Sequence, residues 1–211
     1  MISRGEQTLP SPKDMGLDQE KKSGPADFSA TKEYLSEYLE LNTPQETEQI
    51  RFMEASDLEG EYAEQLQYLD DERLTHSIIA IVPDQFWPAG KLGPSESNAK
   101  RNLILFRESY FTGEPDRPRD EIAWMLHELA HLSRYKNDPD GYQADSETLA
   151  IESVGSERSY PNNKVEQFTF TKQFEFLTKK GLSEDRILKL LEEYYNERDS
   201  LFFRQLLSQV V

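Results

Sequence analysis

The pentad His127-Glu128-Leu129-Ala130-His131 constrains the fold of this chain more than any other feature of its sequence. Residues four apart lie on the same face of a helix, so the rings of His127 and His131 can approach one point from a single helix. Glu128 places a carboxylate beside them. The chain has 211 residues and only three histidines, and two of these lie in the pentad. The pentad therefore predicts a helix that presents two imidazoles and a carboxylate to one site.

The residues around the pentad favour a helix with a broad apolar surface. Asp116 or Asp120 is a candidate N-cap, and Pro118 suits a first helical turn. The turn-forming stretch at residues 137–141 predicts its end. The apolar surface comes from six residues that recur at helical spacing, Ile122, Met125, Leu126, Leu129, Ala130 and Leu132.

The pentad resembles the HExxH sequence of the zincin metallopeptidases. This resemblance implies a zinc-dependent hydrolase that cleaves a peptide or protein substrate, with Zn²⁺ as its cofactor. His127 and His131 would bind the ion, and Glu128 would act as general base towards a zinc-activated water. It also implies a small sheet beside the metal-binding helix, with an edge strand that can pair with bound peptide.

A catalytic zinc ion usually takes three protein ligands, so a third one must lie outside the pentad. The metzincin subfamily would need glycine at 134 and histidine at 137, which are Arg134 and Asn137 here. The chain therefore most resembles the gluzincins, whose third ligand is a downstream glutamate. Residues 160–166 resemble the Tyr-x-x-Asn-Pro-x-Glu segment that opens the ligand helix in many bacterial HExxH proteins. We predict Glu166 as the third ligand, with Glu152 and Glu147 as the alternatives.

The sequence predicts an α+β fold that is mainly helical. Residues 1–27 are expected to be a disordered tail, residues 28–73 to form N-terminal helices, and residues 74–211 to form a zincin-like metallopeptidase core with a small sheet beside the HExxH helix. The sequence leaves open whether the N-terminal helices pack on the core or act as a lid or propeptide-like arm.

Local patterns predict the individual elements. A first helix is expected at 28–41, and the capping box Thr43-Pro44-Gln45-Glu46 predicts a second helix that continues through Leu58. Short β-branched runs predict strands at 77–82 and 102–107, separated by a long loop at 83–100. Further helices are expected at 143–153, from Glu166 onward and from Ser183 onward.

Composition limits the classes of partner. The formal net charge of −16 makes a nucleic-acid partner unexpected, because binding to phosphate requires a basic surface. The chain has no cysteine, which excludes disulfides and cysteine-bound zinc. No apolar run is long enough for a signal peptide or a membrane span, so we expect a cytoplasmic protein without membrane contact. Its oligomeric state is left open.

Several residues are candidates for supporting roles. Asp145 or Glu147 would orient a ligand histidine, because zinc-bound imidazoles need a partner on their second nitrogen. Tyr135, Tyr142 and Tyr160 are candidate donors to the oxyanion. The alternative to catalysis is a scaffold or binding domain in which zinc only stabilises the fold.

Overall fold

The computed structural model describes residues 27–91, 93–113, 120–151 and 160–210. Within these ranges the α-helices, in chain order, are α1 (Ser29–Tyr38), α2 (Pro44–Glu48), α3 (Gly60–Tyr68), α4 (Glu108–Thr112), α5 (Trp124–Asn137), α6 (Pro139–Ser146), α7 (Lys164–Lys179), α8 (Glu184–Leu191) and α9 (Ser200–Val210). The strands are β1 (Arg51–Glu54), β2 (Ile78–Val82), β3 (Ser95–Asn98) and β4 (Leu103–Arg107). Short 3-10 helices lie at Ala55–Asp57, Glu72–Leu74, Asp84–Phe86, Ala99–Arg101 and Glu197–Asp199. The chain is therefore α+β and mainly helical, as predicted.

The four strands form one sheet in the order β1-β2-β4-β3. The central pair β2 and β4 is parallel, and the outer strands β1 and β3 each pair antiparallel with their neighbour. Strand β3 is thus an edge of the sheet in the described part of the chain. It contacts α5, the helix that carries the pentad.

Both faces of the sheet are covered, which explains why β2 and β4 are almost continuously apolar. One face belongs to the main core and packs towards α5 and α7 through Ile79, Ile81, Ile104 and Phe106. The other face packs towards the N-terminal part of the chain, where Leu35 of α1 and Ile50 are buried. Within the described ranges, no helix combines the length and apolar character that crossing a bilayer requires.

The predicted helix from Thr43 to Leu58 is wrong over much of its length. The capping box is present, but the helix it opens ends at Glu48, and residues 51–54 form strand β1. Phe52 packs on the face of the sheet that carries Leu35 and Ile50, and its neighbour Met53 packs on the main core. This is the alternation expected of a strand. Pairing with β2 stabilises this strand, and that partner is distant in sequence. The sheet thus joins residues of the predicted 28–73 and 74–211 segments.

Two other predicted boundaries are corrected. The expected loop at 83–100 contains strand β3, which pairs with β4. The pentad helix ends at Asn137, within the stretch predicted to end it. Pro139 then begins α6 directly, because the Asp138 side chain caps it by accepting from Gly141 N at 2.9 Å. The helix predicted at 143–153 therefore lies at 139–146 instead. The predicted strands at 77–82 and 102–107 are confirmed as β2 and β4.

Two buried side chains satisfy the free N–H groups at the start of α5. Asp120 accepts from Trp124 N at 2.6 Å and from Met125 N at 3.0 Å. Gln65 of α3 accepts from Leu126 N at 2.8 Å and donates to Asp120 at 3.1 Å. The N-cap position is Ala123 rather than the predicted Asp120, but the Asp120 side chain reaches the first turn and supplies the capping hydrogen bonds. The other candidate, Asp116, and Pro118 lie outside the described residues.

We expect the burial of Asp120 to make the stability of the metal-free protein depend on pH. Burial raises the pKa of Asp120 from 3.8 to about 7, against the opposing effect of its hydrogen bonds. A carboxyl whose pKa is raised on folding contributes stability that is complete below its unfolded pKa and is lost as pH rises through the folded value. Between pH 4 and pH 8 this group should therefore lower the free energy of unfolding by up to about 4 kcal/mol.

The variant Asp120→Asn should remove that pH dependence. Urea unfolding with chelator present gives the free energy of unfolding of the wild type and the variant. As pH rises, the variant should become more stable relative to the wild type. Asp140→Asn, which changes an exposed aspartate of α6, should follow the wild type at every pH. Parallel curves for wild type and Asp120→Asn would contradict the prediction.

Candidate metal centre

Two helices bring three buried ligand-type side chains to one place. His127 and His131 lie on α5, and Glu166 lies in the first turn of α7. Their exposed fractions are 3%, 7% and 8%. Asn163 caps α7 by accepting from Glu166 N at 2.9 Å, which places the glutamate at the start of its helix. The structure therefore brings together the two histidines and the glutamate that the sequence predicted.

Each pair of side chains in this group brings its closest nitrogen or oxygen atoms to a similar distance. His127 Nε2 is 3.2 Å from His131 Nε2 and 3.3 Å from Glu166 Oε2. His131 Nε2 is 3.5 Å from Glu166 Oε1. These three residues could hold a metal ion, since each offers one ligand atom and the atoms lie within 4.8 Å of one another.

The second ring nitrogen of each histidine has its own partner. His127 Nδ1 lies 3.1 Å from Gln173 Oε1 on α7, and His131 Nδ1 lies 3.0 Å from the Tyr142 hydroxyl on α6. The amide group of Gln173 also donates to Ile122 O, so its oxygen faces the histidine and accepts from Nδ1–H. In the neutral His127 ring the proton therefore sits on Nδ1, and Nε2 carries a lone pair.

The centre has more acceptors than donors. Glu166 Oε2 is buried without a hydrogen-bond partner among the described residues, although it faces the ring of His127. Buried carboxylate oxygens normally have a donor or a cation beside them. A cation bound between the three side chains would satisfy Glu166 and both Nε2 atoms together, so the chemistry of the group fits a metal ion.

The electrostatics of the metal-free group also favour positive charge at this point. Burial raises the pKa of Glu166, but His131 and His127 lower it more, so the net pKa lies below its usual value. Burial lowers the pKa of His131, but Glu166 raises it more, so the net pKa lies above 6.5. A proton on His131 thus competes with a metal ion, and metal affinity should fall as the pH is lowered.

Glu128 lies beside the metal-binding group and is held by a residue of the sheet. It is buried, with an exposed fraction of 6%. Its Oε1 atom accepts a hydrogen bond of 2.8 Å from the hydroxyl of Ser95, at the start of edge strand β3. The carboxylate is therefore held between α5 and the sheet edge.

An open cleft of about 740 Å³ gives access to this group. One side is formed by the edge strand β3, and another by aromatic residues that follow α8 or precede α7. The lining includes His127, His131, Glu128, Glu166, Ser95, Glu96, Trp124, Tyr160, Tyr194 and Tyr195. A ligand can thus reach the metal-binding atoms and Glu128 from the same side.

Other predicted ligand candidates are placed elsewhere. Glu147 is exposed at the end of α6 and accepts from Gln143 at 3.1 Å, so it is not part of the group. Glu152 lies outside the described residues. His76 is exposed and pairs with Glu54 at 3.1 Å.

The supporting residues differ from those predicted. Asp145 pairs with Arg134 at 2.6 Å rather than with a ligand histidine. Tyr142 contacts His131, so it is a partner of a ligand ring, and Tyr135 packs edge-on against Tyr142 with ring centroids 5.5 Å apart. Tyr142 and Tyr160 both line the cleft, and Tyr160 shares a hydrogen bond of 2.9 Å with the hydroxyl of Tyr195.

Sequence reasoning missed two polar contacts of the centre. Gln173 falls within the helix expected from Glu166 onward, but its contact with His127 was not predicted. Its position seven residues after Glu166, two helical turns along the same face, was the available indication. Ser95 lay in a predicted loop, and nothing local distinguished it from neighbouring serines.

In comparison with known protein families, curated proteins and solved structures, this chain has no match. Its geometry and chemistry are thus the basis for assigning a function.

Proposed function

We propose that this chain is a zinc-dependent peptidase with a zincin-like, gluzincin-type centre. His127, His131 and Glu166 hold the ion, and Glu128 is the general base. The observation that carries the proposal is the convergence of three buried acceptors, one of them without a hydrogen-bond partner, beside a fourth carboxylate in an open cleft.

The spacing of the ligand atoms supports zinc. A tetrahedral zinc ion with nitrogen and oxygen ligands at about 2.0–2.1 Å requires ligand atoms about 3.3 Å apart. In this structure the two Nε2 atoms are 3.2 Å apart, His127 Nε2 is 3.3 Å from Glu166 Oε2, and His131 Nε2 is 3.5 Å from Glu166 Oε1, so each pair of side chains approaches to about this distance. Three protein ligands are also the number found at catalytic zinc sites, where the fourth position is kept for water. Structural sites are usually closed by a fourth protein ligand.

Each side chain then has a defined part in hydrolysis. When bound, zinc supplies Lewis-acid activation of a water molecule and of the substrate carbonyl. Glu128 accepts a proton from the attacking water as the carbon–oxygen bond forms, and it gives the proton to the amine as the carbon–nitrogen bond breaks. Gln173 and Tyr142 keep the two imidazoles oriented through their Nδ1 atoms.

The position of the edge strand supports a peptide as substrate. Strand β3 borders the cleft, and in the described part of the sheet only β4 pairs with it. An extended peptide can add to such an edge by backbone hydrogen bonds, which would place its carbonyl groups along the cleft.

The experiment that tests this function combines metal analysis with hydrolysis. Protein purified without chelator or histidine tag should contain about one zinc per chain by mass spectrometry. It should cleave members of a broad peptide library, lose this activity with chelator and regain it when zinc is added. Full zinc content without cleavage would instead support the stabilised scaffold, and absence of zinc binding would overturn the proposal.

The glutamine that contacts His127 should affect zinc affinity. Gln173→Met keeps a similar volume but removes the acceptor for Nδ1–H, so we expect zinc affinity to fall about 10- to 100-fold. Competition with a chromophoric chelator measures this change. Gln167→Met alters a half-buried glutamine of the same helix and should keep the wild-type affinity. Equal affinities for both variants would contradict a role for Gln173.

A further inference from the structure

The edge strand β3 is held from both of its faces. On the side of α5, the Ser95 hydroxyl donates to Glu128 Oε1 at 2.8 Å. Successive side chains of a strand point to opposite faces, so Glu96 and Asn98 face the other way, towards α1. Their contacts with two tyrosines of α1 agree with this alternation.

We call Tyr34 and Tyr38 the tyrosine clamp. The Tyr38 hydroxyl contacts both carboxylate oxygens of Glu96, at 2.8 and 2.7 Å, and accepts from Lys91 at 2.8 Å. Lys91 also pairs directly with Glu96. The Tyr34 hydroxyl accepts from Asn98 at 3.0 Å, and the guanidinium of Arg101 lies 4.0 Å from its ring centroid.

The spacing of the clamp matches the spacing of the strand. Residues four apart on a helix are separated by about 6 Å along its axis, and residues two apart on a strand by about 6.7 Å. The two tyrosine rings stack with centroids 5.6 Å apart. The Tyr38 hydroxyl therefore reaches Glu96, and the Tyr34 hydroxyl reaches Asn98. Helix α1 therefore fixes the position of β3, which has only one neighbouring strand in the described sheet.

We propose that Ser95 is a positioning residue for Glu128 and that the tyrosine clamp of α1 keeps Ser95 in place. This inference rests on the proposed peptidase function, because Glu128 must act on substrate for its orientation to affect turnover. A glutamate has three side-chain torsions, and the bond from Ser95 restricts them by engaging one carboxylate oxygen. The other oxygen is left to accept the proton. Helix α1 thus supports catalysis without lining the cleft.

The kinetic test compares four variants with the zinc-loaded wild type. Ser95→Ala should lower kcat about tenfold with KM nearly unchanged, because the base is misplaced while substrate binding is kept. Ser95→Thr restores the hydroxyl and should restore kcat. Ser77→Ala removes a hydroxyl bond of the same length, 2.8 Å to Asn102, away from the cleft, and should leave kcat unchanged. In the wild-type background, Tyr38→Phe should lower kcat about threefold. In the Ser95→Ala background, the same change should have no further effect on kcat.

A second measurement does not depend on activity. A double-mutant cycle of Ser95→Ala and Glu128→Ala, measured by urea unfolding with chelator, should show about tenfold coupling in the unfolding equilibrium constant. Absence of coupling overturns the inference, as does unchanged kcat in Ser95→Ala. If the wild type cleaves no peptide, the proposed function fails and the positioning role fails with it. If cleavage requires Glu128 but not Ser95, the proposed function stands and only the positioning role of Ser95 is overturned.

Discussion

Replacing Glu128 with glutamine should abolish peptide hydrolysis while leaving zinc bound. Glutamine has nearly the same shape but cannot accept a proton from water, so the step assigned to the base is lost. General acid–base catalysis contributes about 10²- to 10⁴-fold, and we expect kcat to fall by about a thousandfold. Zinc content should stay at one per chain, because Glu128 is not a ligand in the proposed centre. Steady-state kinetics with parallel metal analysis measures both quantities.

The matched control is Glu147→Gln. Glu147 is an exposed glutamate outside the centre, so the variant should retain wild-type kcat and zinc content. A Glu128→Gln protein with full, zinc-dependent hydrolysis would exclude Glu128 as the base. Loss of zinc from that variant would show that Glu128 is needed for metal binding, contrary to the proposed centre.

Replacing Glu166 with alanine should remove the zinc. Glu166 is the one charged ligand, and its carboxylate faces both histidines at 3.3 and 3.5 Å. Structural zinc sites bind with about 10–16 kcal/mol, so losing one of three ligands should weaken affinity by at least about a thousandfold. Zinc at a thousand times the wild-type dissociation constant should stabilise the wild type by about 4 kcal/mol and the variant by far less. Thermal unfolding with and without zinc measures this difference.

Two controls distinguish loss of zinc binding in Glu166→Ala from unfolding of the variant. His76→Ala removes the exposed histidine outside the centre and should keep the zinc-induced shift in Tm. Circular dichroism of metal-free Glu166→Ala should show the helical content of the wild type. Zinc retained in Glu166→Ala would mean that another residue completes the site, with Glu152, which lies outside the described residues, as the remaining sequence candidate.

The three candidate ligands were predicted from patterns within single segments of the chain. His127 and His131 meet because four residues span about one helical turn, which holds wherever the helix lies. Glu166 was predicted from a short segment that opens a helix, and Asn163 caps that helix in the structure. What the sequence could not supply was the meeting of α5 and α7, which brings Glu166 within 3.5 Å of both rings.

The errors concern residues whose structure depends on distant partners. Arg51–Glu54 follows a short helix and was predicted as its continuation, yet it pairs with β2. Ser95–Asn98 is a polar stretch without strand character, and it becomes a strand by pairing with β4. The predicted partners of the histidines were carboxylates near in sequence, whereas Gln173 lies 46 residues from His127. The packing of α5 against α7 decides this hydrogen bond, and helical spacing indicates only that Gln173 and Glu166 share a face of α7.

The role of the N-terminal region also required the tertiary structure. The sequence left open whether residues 28–73 pack on the core or act as a lid or propeptide-like arm. In the structure, β1 completes one side of the sheet, Gln65 accepts from the first turn of the pentad helix, and Tyr38 contacts the edge strand. These contacts tie the described part of this region to the core of the molecule.

The sequence by itself determined the helix of the pentad, the placing of its two histidines on one face beside the carboxylate of Glu128, and a mainly helical α+β class. The first two follow from side-chain spacing along one helix, and the class follows from the local patterns of the separate helices and strands. Only the tertiary structure decided that Glu166 joins the histidines, that Ser95 contacts Glu128 and that α1 holds the edge strand. These contacts join residues at least 33 apart in the chain, and their energies come from packing and burial that no local pattern records.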